Sequence, residues 1–193
     1  MIDNRWVMRV ALFVTCLVDT LRPEIGRATV AVLERQGLEI EFPEAQTCCG
    51  QLHHNAGELD VSHMLTARFV EVFTGYDAIV APSASCVGHV RSVLAEHGAA
   101  AAEVGRRTFE LTQFLVERLG VARVDAVYPH RVAYHPTCHS LRVLRVGDAP
   151  QQLLSAVVGV QPVALDRADE CCGFGGTFAI RNAAVSSAML ADK

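Results

Sequence analysis

The chain has 193 residues, enough for one large domain or two small ones; 51% are hydrophobic, 20% charged and 6% aromatic. That balance excludes a disordered or collagen-like chain. The formal charge is −4, from 17 basic and 21 acidic residues. No run of Lys or Arg occurs, so neither a nucleic acid nor an anionic membrane surface is an expected partner.

The first apolar stretch, Val10 to Val18, is about half the length a membrane span needs. Arg5 and Arg9 precede it as they would a secretory signal. Asp19 and Arg22 follow at once without a small-residue cleavage site, and Phe13-Val14-Thr15 before Cys16 is unlike a lipoprotein anchor. The stretch reads as a buried first strand over residues 8–15, with the chain in the cytoplasm and not inserted in a membrane. Pro23 then opens a helix whose apolar residues Ile25, Ala28, Val32 and Leu33 keep helical spacing up to Gly37. A second strand covers 38–42. Val61, Leu65, Phe69 and Val72 mark another helix, closed by Gly75. A third strand over 77–81 leads into a helix from about Cys86 to Glu96. The alanines at 99–102 fit either a loop or a helix. Thr108 reads as the N-cap of a helix running to Leu119. Beyond it the pattern predicts a strand from Arg131 to His135, a helix over 150–158, a strand over 160–165 with Pro162 suited to an edge, and a helix over 177–190. Alternating strands and helices imply parallel sheets covered by helices.

The chain carries seven cysteines. An odd number in a reducing compartment points to metal or redox chemistry and away from a disulfide framework. Cys16 and Cys48 are 32 residues apart, Cys138 and Cys171 are 33 apart, and the flanks recur with them. Val10-Ala11-Leu12-Phe13-Val14-Thr15-Cys16 matches Val132-Ala133-Tyr134-His135-Pro136-Thr137-Cys138, and Thr47-Cys48-Cys49-Gly50 matches Glu170-Cys171-Cys172-Gly173. This is an internal duplication with an offset near 122 residues. The fold expected from it is α/β, with two tandem Rossmann-like repeats (5–122 and 123–193) that carry parallel sheets related by pseudo-twofold symmetry. The second repeat is incomplete.

Functional groups in such sheets gather after the carboxyl ends of strands. Cys16, Cys48-Cys49 and Cys86 each follow a strand in the first repeat, and Cys138 and Cys171-Cys172 do so in the second. Helix N-termini behind these loops favour thiolates. Adjacent cysteines serve one site only across a sharp turn, which Gly50 and Gly173 permit through positive φ. Zinc usually takes its pairs as Cys-x-x-Cys, whereas neighbouring thiolates can each find an iron of a multi-iron cluster, so the spacing favours iron–sulfur and leaves zinc as the alternative in the first repeat. His135 and His139 flank Cys138 and fit three roles: a Cys–His nucleophile pair, bonds to nearby backbone, or a donor to a cluster sulfur. His53 and His54, after the first Cys-Cys-Gly, read as surface histidines or as site lining. Gly173, Gly175 and Gly176 lack a nucleotide fingerprint and read as backbone that wraps closely around a cluster. Arg142, Arg145 and Arg181 read as exposed helix charges.

The doubled pattern resembles the cysteine-rich CCG-domain family, which includes the cysteine-rich component of heterodisulfide reductase and the iron–sulfur subunits of glycolate oxidase and anaerobic glycerol-3-phosphate dehydrogenase. Tyr134-His135-Pro136-Thr137-Cys138-His139 and Glu170-Cys171-Cys172-Gly173-Phe174-Gly175-Gly176 are similar to its short, lactate-utilising subgroup. The resemblance implies a cytoplasmic iron–sulfur subunit, itself no catalyst, that transfers electrons with other subunits of a system oxidising L-lactate or a related 2-hydroxy acid. It implies 4Fe-4S ligation by Cys16, Cys48, Cys49 and Cys86, and a second site at Cys138, Cys171 and Cys172. The alternatives are a cluster-based thiol–disulfide reductase and a zinc-stabilised binding module. Two departures stand out. Ser83 occupies the first position of the family's first Cys-x-x-Cys, and the second pair falls near position 206, so the natural chain is expected to continue past Lys193.

Overall fold

The computed structural model describes residues 8–193; Arg5 and the first three residues of the expected first repeat lie outside them. The chain divides into two compact units, one formed by Met1–Cys49 with Met64–Leu111 and the other by Gly50–His63 with Thr112–Lys193.

The first unit is built on a four-stranded parallel sheet of β1 (Val10–Leu12), β2 (Ile40–Glu41), β3 (Ala78–Ala81) and β4 (Thr108–Glu110), in the order β2-β1-β3-β4. Every residue of β1 and β3 is buried. Successive side chains point to opposite faces, so both faces of these strands are covered, as their unbroken apolar runs predict. Phe13, at the end of β1, meets the rings of Phe69 and Phe73 at 5.1 and 5.7 Å in edge-on geometry. These rings come from α4 (Leu59–Phe73), the helix marked by apolar spacing in the sequence. The other helices of this unit are α1 (Cys16–Leu21), α2 (Pro23–Glu34, with Pro at its first turn), α5 (Ala84–Ala95) and α6 (Ala99–Arg106). The alanine run is therefore helical, in keeping with its high helix propensity. Gly105 lets α6 approach α5, since a Cβ there would lie 3.3 Å from Leu94 Cβ.

The first strand, expected over 8–15, spans only Val10–Leu12, and two further elements of this unit depart from the sequence reading. Thr108 is not a helix cap but the first residue of β4, paired with Ile79, fully buried, with its Oγ1 donating to the Val104 carbonyl. A β-branched residue beside an open sheet edge gains more from strand pairing than from capping. The helix starts later, as α7 (Leu111–Gln113), and runs into a π-helical turn over Phe114–Arg118. The predicted strand over 38–42 is also shorter, spanning only Ile40–Glu41.

The second unit has a two-stranded parallel sheet of β5 (Arg131–Ala133) and β6 (Gln161–Val163), so Pro162 does sit on an edge strand. Val10 pairs with Ile40 in β1–β2 and Arg131 pairs with Gln161 in β5–β6, thirty residues apart in both cases. This unit also contains α3 (Gln51–Ala56), a π-helical turn over His139–Leu144, and α8 (Ala149–Ser155). The helix expected over 177–190 is two helices, α9 (Thr177–Arg181) and α10 (Ala183–Asp192). They part at Asn182, a weak helix former that takes non-helical backbone (φ −128°, ψ 47°). Among the described residues no helix is long and apolar enough to cross a membrane.

Candidate metal centre

In the first sheet the chain leaves β1 in one direction to form β2 and returns on its other side to form β3. Open parallel sheets place ligands outside the carboxyl ends of the strands at such a reversal. Cys16 opens α1 directly after β1, Cys48 and Cys49 follow β2, and Cys86 lies in the first turn of α5 after β3. The fold thus brings together all four cysteines that the sequence assigned to the first site. The Cys16 and Cys48 sulfurs are 3.7 Å apart. Their hydrogen bond, burial, and the charges of Cys48 and Cys86 push the Cys16 thiol well above its ordinary range. Cys86 moves the other way, down to about 7, chiefly through a hydrogen bond with Cys49 and then through Ser83 and Ser85, against the effect of burial. Cys86 is thus the readier of the two to lose its proton, as expected where several acids share one small volume. None of the seven cysteines is in a disulfide.

Ser83 has a structural use at the position where the family pattern has cysteine. It is the N-cap of α5, its Oγ accepts from the Cys86 N–H at 3.4 Å, and it lies 3.3 Å from Ser85 Oγ. Gln46 is a site residue that sequence reasoning missed. Its side chain accepts from Val14 N–H at 2.9 Å and donates to the Leu12 carbonyl at 3.1 Å, tying the approach to Cys48 onto the end of β1. Thr15, just before Cys16, has φ 60° and ψ 144°, a strained conformation for a β-branched residue. Gly50 has φ 86°, as the turn after the adjacent pair requires.

In the second unit Cys138 caps the π-helical turn, and Cys171-Cys172-Gly173 follows β6. Gly173 has φ 79°, and a Cβ there would lie 2.7 Å from the Ser186 carbonyl oxygen, so both conformation and packing demand glycine. Its N–H faces Cys171 Sγ at 3.4 Å. The loop before Cys171 is braced from three sides. His135 Nδ1 donates to the Ala168 carbonyl at 3.0 Å, Arg142 to Asp169 at 3.0 Å, and Lys193 Nζ to Arg167 and Glu170 at 2.7 and 3.2 Å. His135 therefore takes the backbone-bonding role, and Arg142 positions the loop. His139 lies with Nδ1 3.6 Å from Cys138 Sγ. His53 is partly exposed and pairs with Glu58 at 2.6 Å.

The donor set suits a thiophilic metal group. A single tetrahedral ion with bonds of about 2.3 Å sets its sulfurs about 3.8 Å apart. The Cys16–Cys48 pair meets that length, yet among the described residues no three Cys, His, Asp or Glu side chains converge on one ion.

These features are those of a cysteine-rich α/β domain whose cysteine motif occurs twice. The family model for the CCG cysteine-rich domain matches residues 10–91 and 132–193, and the chain belongs to that family. It is similar to lactate utilization protein A of Oceanobacillus iheyensis, at 42% identity over 96% of this chain and 79% of that one. The proteins of the same name from Geobacillus kaustophilus and Bacillus pumilus are 43% and 41% identical over 96% of this chain, and over 80% and 81% of their own lengths.

Proposed function

We propose that this protein is a cytoplasmic iron–sulfur subunit that carries electrons within a multiprotein system oxidising L-lactate or a related 2-hydroxy acid. The observation that carries the reading is the clustering of two close cysteine pairs, Cys16 with Cys48 and Cys49 with Cys86, at the strand reversal of the first sheet. The substrate class comes from the name its relatives carry. The architecture in this reading is two Rossmann-like repeats, 5–122 and 123–193, related by a pseudo-twofold axis. The recurring cysteine triplet and the thirty-residue strand interval in both sheets support it.

Cys16, Cys48, Cys49 and Cys86 are the ligands of the first site, and Cys138, Cys171 and Cys172 those of the second. A four-iron cluster bound there supplies one-electron transfer, and no dinucleotide fingerprint assigns hydride chemistry to this chain. The residues around the thiols set the ligands in place. Gln46 holds the Cys48 loop against β1, the strained Thr15 aims Cys16, and Ser83 supports Cys86 in its thiolate form. The other subunits of the oxidation system are the partners.

The 3.7 Å Cys16–Cys48 spacing is the one observation that favours zinc in the first repeat. Metal and acid-labile sulfide analysis of protein purified without oxygen, with electron paramagnetic resonance after chemical reduction, separates the two. Iron and sulfide in matching amounts with a reduced-cluster signal are expected. Stoichiometric zinc without iron overturns the electron-transfer reading.

A further inference from the structure

Gln51 is the first residue of α3, two positions beyond Cys49, and α3 belongs to the second unit. Its side-chain nitrogen lies 3.1 Å from His139 Nε2, and the other ring nitrogen, Nδ1, lies 3.6 Å from Cys138 Sγ. We propose that Gln51 is a positioning residue that holds His139 in the tautomer protonated on Nδ1, making it a standing hydrogen-bond donor to the Cys138 sulfur.

An amide nitrogen can only donate, so the ring nitrogen facing it must offer a lone pair. A neutral imidazole carries one N–H, which is then left on Nδ1, toward the sulfur. The other tautomer would set two N–H groups against each other and leave Nδ1 without a proton for the Cys138 sulfur. The amide is held in place by its helix. Gly50 and Gly57 bound α3 at both ends in left-handed backbone, and Leu52 packs so closely on Gly176 that a Cβ there would lie 2.6 Å from Leu52 Cδ2. By the cysteine correspondence, Leu17 stands where His139 does and Phe174 stands where Gln51 does. Neither can hydrogen-bond through its side chain, so only the second motif has this donor.

A donor to a ligating sulfur withdraws charge from it and raises the potential of the bound iron. That consequence rests on Cys138 being a ligand, as proposed above, whereas the tautomer does not. Nitrogen-15 histidine spectra of the metal-free, reduced protein, taken where imidazole is neutral (about pH 8), decide the tautomer. Native His139 is expected to be protonated on Nδ1. Gln51→Glu, which offers only acceptors, moves the proton to Nε2, and Gln51→Leu gives a mixture. His135, whose Nδ1 proton is fixed by the Ala168 carbonyl, stays unchanged in every variant that folds. Native His139 protonated on Nε2, or the same tautomer in all three proteins, overturns the proposal. In iron-loaded protein the two variants lower the midpoint potential of one cluster and leave iron content unchanged. An unshifted potential at equal iron content removes the tuning role, and native protein that binds no iron defeats the electron-transfer reading while the spectra still decide the tautomer.

Discussion

The side-chain amide of Gln46 stands in for a missing strand residue opposite Val14: it takes the Val14 N–H and returns a hydrogen bond to the Leu12 carbonyl. β2 ends at Glu41, so these backbone groups at the end of β1 find their partners in a side chain. Gln46→Ala leaves both groups unpaired, with an expected loss of about 2 kcal/mol in the urea-induced unfolding of the metal-free protein. Iron bound at the first site falls with it, since the same contact positions Cys48. Unchanged stability and metal content would mean that the Cys48 loop is held by other contacts.

The backbone at Thr15 gives a second test. Thr15→Ala and Thr15→Gly both delete the side chain, but only glycine relieves the positive φ. Ala ordinarily stabilises relative to Gly, whereas here the glycine variant should be the more stable of the two by about 1–2 kcal/mol. Thermal unfolding of the metal-free pair measures it, and an alanine variant equal to or above glycine contradicts the strain. The glycine variant is also expected to bind metal less tightly at the first site, because Cys16 is then less firmly aimed.

Gly173 and Gly37 form a matched pair for separating conformation from packing. Their φ values are 79° and 78°, but a Cβ at Gly37 meets nothing within 4 Å. Gly37→Ala should cost about 1 kcal/mol through backbone strain alone. Gly173→Ala adds a collision with α10 and should cost at least about 2 kcal/mol more. Denaturant midpoints test the difference, and equal effects would show that α10 yields.

Cys86 should be the most reactive of the four first-unit thiols near neutral pH in the metal-free protein. Alkylating reagents attack the thiolate, so the rate rises with pH through the group's own ionisation, here about 7 in place of the usual 9. The site is therefore about one-tenth reactive at pH 6 and about nine-tenths at pH 8. Ser83→Ala removes a hydrogen bond that favours the thiolate and should move the midpoint upward, and Cys49→Ala should move it further. Mass-spectrometric mapping of labelled cysteines against pH checks the order. A Cys86 profile centred near 9 would deny Cys49 and Ser83 this influence.

The parts of this molecule that were readable as sequence are those governed by local rules. An unbroken apolar run marked β1, helical spacing marked α2 and α4, and the glycine after each adjacent cysteine pair marked a positive-φ turn. The repeated cysteine spacing marked the motif that the CCG family model matches in both halves of the chain. Other features escaped because their causes lie far off along the chain. Thr108 looked like a cap because its neighbours suit one, yet the open edge of β3, 29 positions earlier at Ile79, claimed it for a strand. Nothing adjacent to Gln46, Arg142 or Lys193 distinguishes them from ordinary surface polar residues. Their roles exist only where a carbonyl or N–H on another element lacks a partner.

Chain order alone therefore established the cysteine motif and its recurrence, because covalent spacing and backbone sterics survive without a fold. Which sulfurs touch, which thiol is pushed toward ionisation, and which nitrogen of His139 faces Cys138 were decided only in three dimensions. Those properties depend on distances of a few ångströms between segments tens of residues apart, and packing alone sets such distances.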